Sequence, residues 1–242
     1  MTLFKEVVHF MLIFFGDSIL GSIHNDVFKQ FLKNEPYVSF CKKGIRLQDL
    51  VKSIPEHNGA LQSLFKAECA QQSIHVVISI GTNDMFTIPC VLDATYMREA
   101  LLEICTCIRK ALLPHPVTIS FIGLAAKACT HSVHDDASSQ TVTDADHLPK
   151  KRKRRCGISF ACERRSFNET FNTLLRTLTS ENQCLYLTSP TLDGSGWCWK
   201  DSVHLLVSEH PRYLRAVCTA VYMGANNEIA RKRHQVINPS GL

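Results

Sequence analysis

The chain has 242 residues, 45% of them hydrophobic, and a net charge of +5. This length suffices for one large α/β domain with a substantial core, and the composition excludes an intrinsically disordered or collagen-like chain. Six positive charges lie in the run KKRKRR, which begins at Lys150 and ends at Arg155. The rest of the chain is therefore close to neutral and lacks the spread of basic and aromatic residues that is typical of a nucleic-acid-binding surface.

The N-terminal segment and the cysteines bear on the cellular compartment. An apolar run near the N-terminus has the length of a secretory signal, but Glu6 interrupts its charged start and no small-residue cleavage pattern follows. The 11 Cys are scattered among apolar segments without repeated pairs, which indicates reduced, mostly buried thiols. We therefore expect an intracellular protein, cytoplasmic or nuclear, without a membrane span.

Apolar runs and helical periodicities alternate along the chain. Runs typical of parallel strands buried on both faces occupy residues 9–15, 37–41, 74–80, 117–124 and 184–189, the second being the weakest. Apolar spacing of three to four residues predicts helices from Ser18 to about Asn34, over 59–72, 93–113 and 166–180, and from about Ser208 onward. This alternation predicts a parallel sheet covered by helices on both sides, with ligands at the carboxyl ends of its strands.

Residues 126–157 depart from this alternation. They are rich in His, Asp, Ser and Thr and end with the basic run, so we predict a long surface insertion. Residue types that bind metals cluster between His131 and Asp136, but nothing in this polar stretch fixes their geometry, and we predict no metal there. The expected organisation is one domain over residues 1–225 that contains the insertion, followed by a basic tail over 226–242.

Polar residues follow several predicted strands directly. Ser18, in the sequence GDS, follows the first strand and opens the first predicted helix, and Gly44 follows the second strand. Asn83, in GTND, follows the third strand and can point its amide donors into the crevice. In DSVH, before the last helix, Asp201 can accept a hydrogen bond from Nδ1–H of His204 and leave Nε2 able to take a proton.

These residues form one catalytic hypothesis. Ser18 is the nucleophile, His204 is its general base, and Asp201 orients His204. The backbone N–H groups of Ser18 and Gly44 and the amide of Asn83 form an oxyanion hole. The alternatives are structural, because Ser commonly caps a helix N-terminus and Asn commonly closes an Asx turn.

The four blocks together resemble the SGNH, or GDSL-type, esterase and lipase superfamily over most of the chain. The resemblance implies a three-layer α/β/α sandwich with a five-stranded parallel sheet of flavodoxin-like topology. It also implies hydrolysis of a small acyl ester through an acyl-enzyme, with no metal and no organic cofactor. Ile19 and Leu205 stand where many members have Leu and Pro, and around Gly44 only the following Asp49 and Leu50 match.

A second hypothesis is a catalytically silent module of the same fold that binds a partner. The basic run from Lys150 to Arg155 has the composition of a nuclear-import signal or of a patch for nucleic acid or acidic proteins. Modules of this superfamily also resemble parts of larger mobile-element proteins, which would join such a core to nucleic acid. A solvated charged loop is the remaining interpretation of the run.

Overall fold

The computed structural model describes residues 10–32, 36–67, 73–84, 94–125, 157–193, 196–200 and 204–237. Its strands are β1 (Phe10–Gly16), β2 (Tyr37–Cys41), β3 (Ser73–Ser79), β4 (Val117–Ile122) and β5 (Leu185–Leu187). Its helices are α1 (Asn25–Phe31), α2 (Leu47–Glu56), α3 (Asn58–Ala67), α4 (Ala94–Ala111), α5 (Gly157–Glu181) and α6 (His210–Ile237). Within these residues no helix is both long and apolar enough to cross a membrane.

The five strands form one parallel sheet in the order β2-β1-β3-β4-β5. This is the flavodoxin-like order, in which the chain leaves β1 toward one edge for β2 and then crosses back to β3 on the other side. Loops that follow β1 and β3 diverge at this switch point and leave a crevice between them. The predicted fold class is confirmed.

Both faces of the sheet are apolar because alternate residues of each strand point to opposite sides. From β1, Ile13 and Phe15 pack into the larger core, beneath helices α2 to α5. Leu12 and Phe14 pack into the smaller core, beneath α1 and α6. The apolar runs of β1, β3 and most of β4 therefore correspond to strand segments that are buried on both sides, whereas the edge strands β2 and β5 are largely half-buried.

The predicted start of the first helix, at Ser18, is wrong. The structure has a 3-10 turn at Leu20–Ser22 after Ser18, and α1 begins only at Asn25. The Ser22 hydroxyl donates to the Ser18 carbonyl, and the backbone of the loop after β2 lies against Gly21. These contacts hold the turn after β1 close to the neighbouring strand-end loop, so Ser18 lies in a tight turn and is not the first residue of a helix.

Three further elements differ from the sequence prediction. The helix predicted over 166–180 is α5, which begins earlier, at Gly157. The prediction omitted α2, although its four buried residues, Leu47, Leu50, Val51 and Ile54, have regular helical spacing. At the other end of the chain, α6 continues to Ile237, and its last turns therefore lie within the segment assigned to the basic tail. Residues 126–156, including the basic run and the cluster from His131 to Asp136, lie outside the described residues, and the domain boundaries stay a prediction.

Gly81, directly after β3, is the glycine whose replacement we expect to cost most stability. Its φ is +112°, and a Cβ there would lie 2.7 Å from the Phe171 ring. Backbone strain and overpacking together should lower the free energy of unfolding of Gly81→Ala by about 2–4 kcal/mol in urea denaturation. Gly59→Ala is the matched control: in the described part of the chain, no atom outside its own helix backbone and chain neighbours lies within 4 Å of the added methyl, and alanine favours the helix. Equal stability of the two variants would contradict this prediction.

Candidate active site

Three of the predicted site residues follow adjacent strands of the sheet. Ser18 follows β1, Gly44 follows β2 and Asn83 follows β3. Because β2, β1 and β3 are neighbours and run parallel, their carboxyl ends bring these loops to one edge. Ser18 lies at the centre of the group.

Ser18 lines a small pocket with His204. Its side chain is only 5% exposed, and its Oγ has no hydrogen-bond partner among the described residues. The other lining residues are Ile19, Ser22, Ile23, Leu205, His210 and Tyr213. A buried hydroxyl without a partner is costly, and such exceptions are often found where a group is kept ready for chemistry.

Asp17 holds the turn that carries Ser18. Its carboxylate is fully buried and accepts backbone hydrogen bonds from Ile19 at 3.2 Å and from Thr82 at 2.9 Å. It therefore joins the turn after β1 to the GTND turn after β3. Burial raises the pKa of Asp17 from 3.8 to about 6, against the lowering effect of these hydrogen bonds and of nearby His204.

The raised pKa of Asp17 predicts a pH-dependent stability. The folded state favours the protonated carboxyl, so the contribution is fully present below about pH 4 and is lost as pH rises through about 6. The loss amounts to about 3 kcal/mol. As pH rises between these values, the free energy of unfolding of Asp17→Asn, measured by urea denaturation, should decrease less than that of the wild type. Exposed Asp26 gives the control, Asp26→Asn, and a wild-type slope in Asp17→Asn would refute the assignment.

The loop after β2 is tied to the GTND turn by side chains from that turn. Asn83 Nδ2 donates to the Ile45 carbonyl at 3.1 Å. Both Asp84 carboxylate oxygens accept from the Leu47 backbone N–H at 3.2 Å, at the start of α2. Asp84 thus joins two strand-end loops, and burial raises its pKa to about 6. The Asn83 amide group has two N–H donors, and the hydrogen bond to Ile45 uses one of them.

Gly44 lies in the loop that Asn83 and Asp84 hold. Its φ is +80°, in the left-handed region that favours glycine, and among the described residues no atom beyond its chain neighbours lies within 4 Å of the position of an added Cβ. The backbone at Gly44 is exposed. The open space in front of this backbone is compatible with the close approach of a ligand oxygen.

A short antiparallel turn positions His204. Trp199 pairs with Leu205 in an isolated bridge, and the Lys200 N–H donates to the His204 carbonyl at 2.8 Å. His204 is half-buried at the pocket. Asp201 lies outside the described residues, so its predicted role stays a prediction.

The sequence analysis missed two residues of the pocket, His210 and Tyr213. Both are buried, and His210 Nδ1 and the Tyr213 hydroxyl form no hydrogen bond of normal geometry among the described residues. Burial lowers the pKa of His210, which favours the neutral imidazole. Their positions at the start of α6 give a helical spacing of three, but only the tertiary structure brings that face against Ser18.

No protein-family model matches the chain, and no curated protein sequence is significantly similar to it. Solved structures are similar over most of their length, and several of them are esterases or lipases. The class that the fold defines is therefore that of three-layer α/β/α sandwiches with a five-stranded parallel sheet.

Three of these solved structures illustrate how similar the chain is in fold and how different it is in sequence. An acetyl xylan esterase is 16% identical, with a TM-score of 0.54 over 87% of this chain and 99% of that chain. A GDSL-like lipase from Bacteroides thetaiotaomicron is 14% identical, with a TM-score of 0.53 over 89% and 88%. The psychrotrophic esterase EstA from Pseudoalteromonas sp. is 12% identical, with a TM-score of 0.52 over 89% and 98%. The chain thus has the SGNH hydrolase fold, and the predicted resemblance is confirmed at that level.

Proposed function

We propose that this chain is a serine ester hydrolase that cleaves small acyl or acetyl esters through an acyl-enzyme. The observation that carries the proposal is the buried Ser18 hydroxyl, without a partner among the described residues, in a pocket that His204 also lines. The similar solved structures include esterases and lipases, which supports ester hydrolysis as the reaction class.

The proposed mechanism assigns a role to each residue of the hypothesis. Ser18 Oγ attacks the ester carbonyl while His204 takes its proton and then passes it to the leaving alcohol. Asp201 orients His204 in this scheme. Backbone N–H groups of Ser18 and Gly44, with the Asn83 amide, stabilise the tetrahedral oxyanion. Water activated by His204 then releases the acid and restores Ser18.

The small size of the pocket supports a short acyl group. The apolar side chains of Ile19, Ile23 and Leu205 are nearly fully buried beside Ser18, so a long acyl chain would have to displace them. A panel of p-nitrophenyl esters from acetate to decanoate should show the highest kcat/KM for the shortest acyl groups. Ile23→Ala should shift this preference toward longer chains, because it removes one wall of the pocket. A wild-type preference for decanoate would contradict the short-acyl assignment.

An activity-based probe separates an enzyme from a binding module of the same fold. EstA from Pseudoalteromonas sp. has been solved inhibited by monoethylphosphonate, so a fluorophosphonate is a suitable probe. Only an activated serine reacts with such a reagent, and we expect stoichiometric labelling of Ser18. If Ser18→Ala is labelled as much as the wild type, the hydrolase proposal fails and the binding module becomes the better hypothesis.

A further inference from the structure

Two buried cysteines approach each other at the end of the sheet that is remote from Ser18. Cys105 lies on α4 and is 1% exposed, and Cys184 directly precedes β5 and is 8% exposed. Their Sγ atoms are 3.9 Å apart. A disulfide requires about 2.05 Å, so the sulfurs need to move together by about 2 Å, which small side-chain rotations can supply.

The two cysteines belong to a short contact zone between α4 and the end of α5. Arg98 on α4 forms an ion pair of 2.6 Å with Glu181, and Arg109, near the end of α4, donates to the Asn182 carbonyl at 2.7 Å. Cys105 lies between these two arginines on α4. Contacts on both sides of the sulfur pair therefore hold the two segments together and keep the thiols close.

The zone also places a cation beside one of the two sulfurs. Arg109 Nη2 lies 3.4 Å from Cys184 Sγ, and a guanidinium at that distance stabilises a thiolate. The neighbouring Cys184 sulfur and burial both raise the pKa of Cys105. The contact with the Arg109 guanidinium therefore favours Cys184 as the thiol that reacts first, with Cys105 as the thiol that attacks second.

We propose that Cys105 and Cys184 form a reversible disulfide on exposure to hydrogen peroxide. The Cys184 thiolate attacks one peroxide oxygen, the O–O bond breaks, and protonation of the departing hydroxide gives water and a Cys184 sulfenic acid. Cys105, giving up its proton, then attacks the sulfenic sulfur, and the S–O bond breaks to release a second water. Two thiols are oxidised by two electrons in total, and one peroxide is reduced to two waters.

The disulfide would change stability and leave the pocket around Ser18 intact. It would close a loop over residues 106–183, which restricts the unfolded chain and thereby stabilises the folded state. The crosslink lies at the amino end of β5, whereas Ser18 follows the carboxyl end of β1. Because the strands are parallel, these two positions lie at opposite ends of the strands. The proposal is independent of whether the chain hydrolyses esters.

The test is peptide mapping of the full chain. The reduced protein is treated with hydrogen peroxide, its remaining thiols are alkylated, and it is digested and analysed by mass spectrometry without reduction. We expect a crosslinked peptide pair that contains Cys105 and Cys184, lighter than the two thiol peptides by two hydrogens and separated by dithiothreitol. The midpoint of thermal unfolding should rise by about 5 °C or more on oxidation and return on reduction.

Variants test which cysteines form the crosslink and whether the charge of Arg109 affects its rate. Cys107→Ser, on the same helix, should keep the crosslink, whereas Cys105→Ala should abolish it. Arg109→Met should slow crosslinking several-fold at neutral pH, and Arg109→Lys should restore much of the rate because it keeps the positive charge. The proposal is overturned if Cys105 and Cys184 of the peroxide-treated wild type are both recovered as alkylated thiols. It is also overturned if Cys184 is overoxidised without a crosslink, or if either residue pairs mainly with another cysteine.

Discussion

Ser18→Ala is expected to lower kcat for p-nitrophenyl acetate by about 10⁴-fold or more, with little change in KM. The variant loses the nucleophile, and neither water nor a neighbouring side chain replaces an oriented hydroxyl at the same position. Because Ser18 Oγ forms no hydrogen bond among the described residues, its removal should leave stability nearly unchanged. Steady-state kinetics and thermal unfolding of the same preparation measure both effects.

Ser22→Ala is the matched control for Ser18→Ala. Ser22 lines the same pocket, and its hydroxyl donates to the Ser18 carbonyl. Loss of that one hydrogen bond should change kcat by less than about tenfold. If Ser22→Ala were as inactive as Ser18→Ala, or if Ser18→Ala kept substantial activity, Ser18 would not be the nucleophile.

His204→Gln is expected to lower kcat by about 10³-fold, because glutamine cannot take the proton of Ser18. The measurement is steady-state hydrolysis of p-nitrophenyl acetate by the variant and by the wild type.

His210→Gln is the informative comparison, since His210 is the second imidazole of the pocket. Burial lowers the pKa of His210, and glutamine keeps a polar side chain of similar length. We expect His210→Gln to keep most of the wild-type kcat. If instead His210→Gln is inactive and His204→Gln keeps the wild-type kcat, His210 is the base and the assignment from DSVH is wrong.

Much of the fold could be predicted from the sequence because local patterns carry it. The five strands begin within two residues of the predicted starts. For the central strands the reason is that double-sided burial requires continuous apolar runs, such as the one that ends at Phe15. The prediction failed where long-range contacts decide the backbone. Ser18 precedes a 3-10 turn because the turn is held by Ser22, by Asp17 and by the loop after β2.

The candidate site, like the fold, was predictable where local motifs define it and unpredictable where distant segments meet. GDS and GTND are short and follow strands, and DSVH precedes the last helix, so Ser18, Asn83, Asp201 and His204 could be proposed without a structure. Gly44 could be proposed from its place after the second strand. The links between the blocks could not, because the partners are distant in sequence: Asp17 accepts from Thr82, and Asp84 accepts from Leu47. Nor could the roles of His210 and Tyr213 in the pocket wall, or the approach of Cys105 to Cys184.

The sequence by itself determined the α/β class, the positions of the strands and the residue types available for chemistry, because these depend on periodicity and on neighbours along the chain. Only the tertiary structure decided which loops meet at the edge of the sheet, how deeply Ser18 and Asp17 are buried, and which sulfurs face each other. Those properties depend on strand order and on packing between distant segments. Burial in turn sets the pKa of Asp17 at about 6, a value that no local pattern encodes.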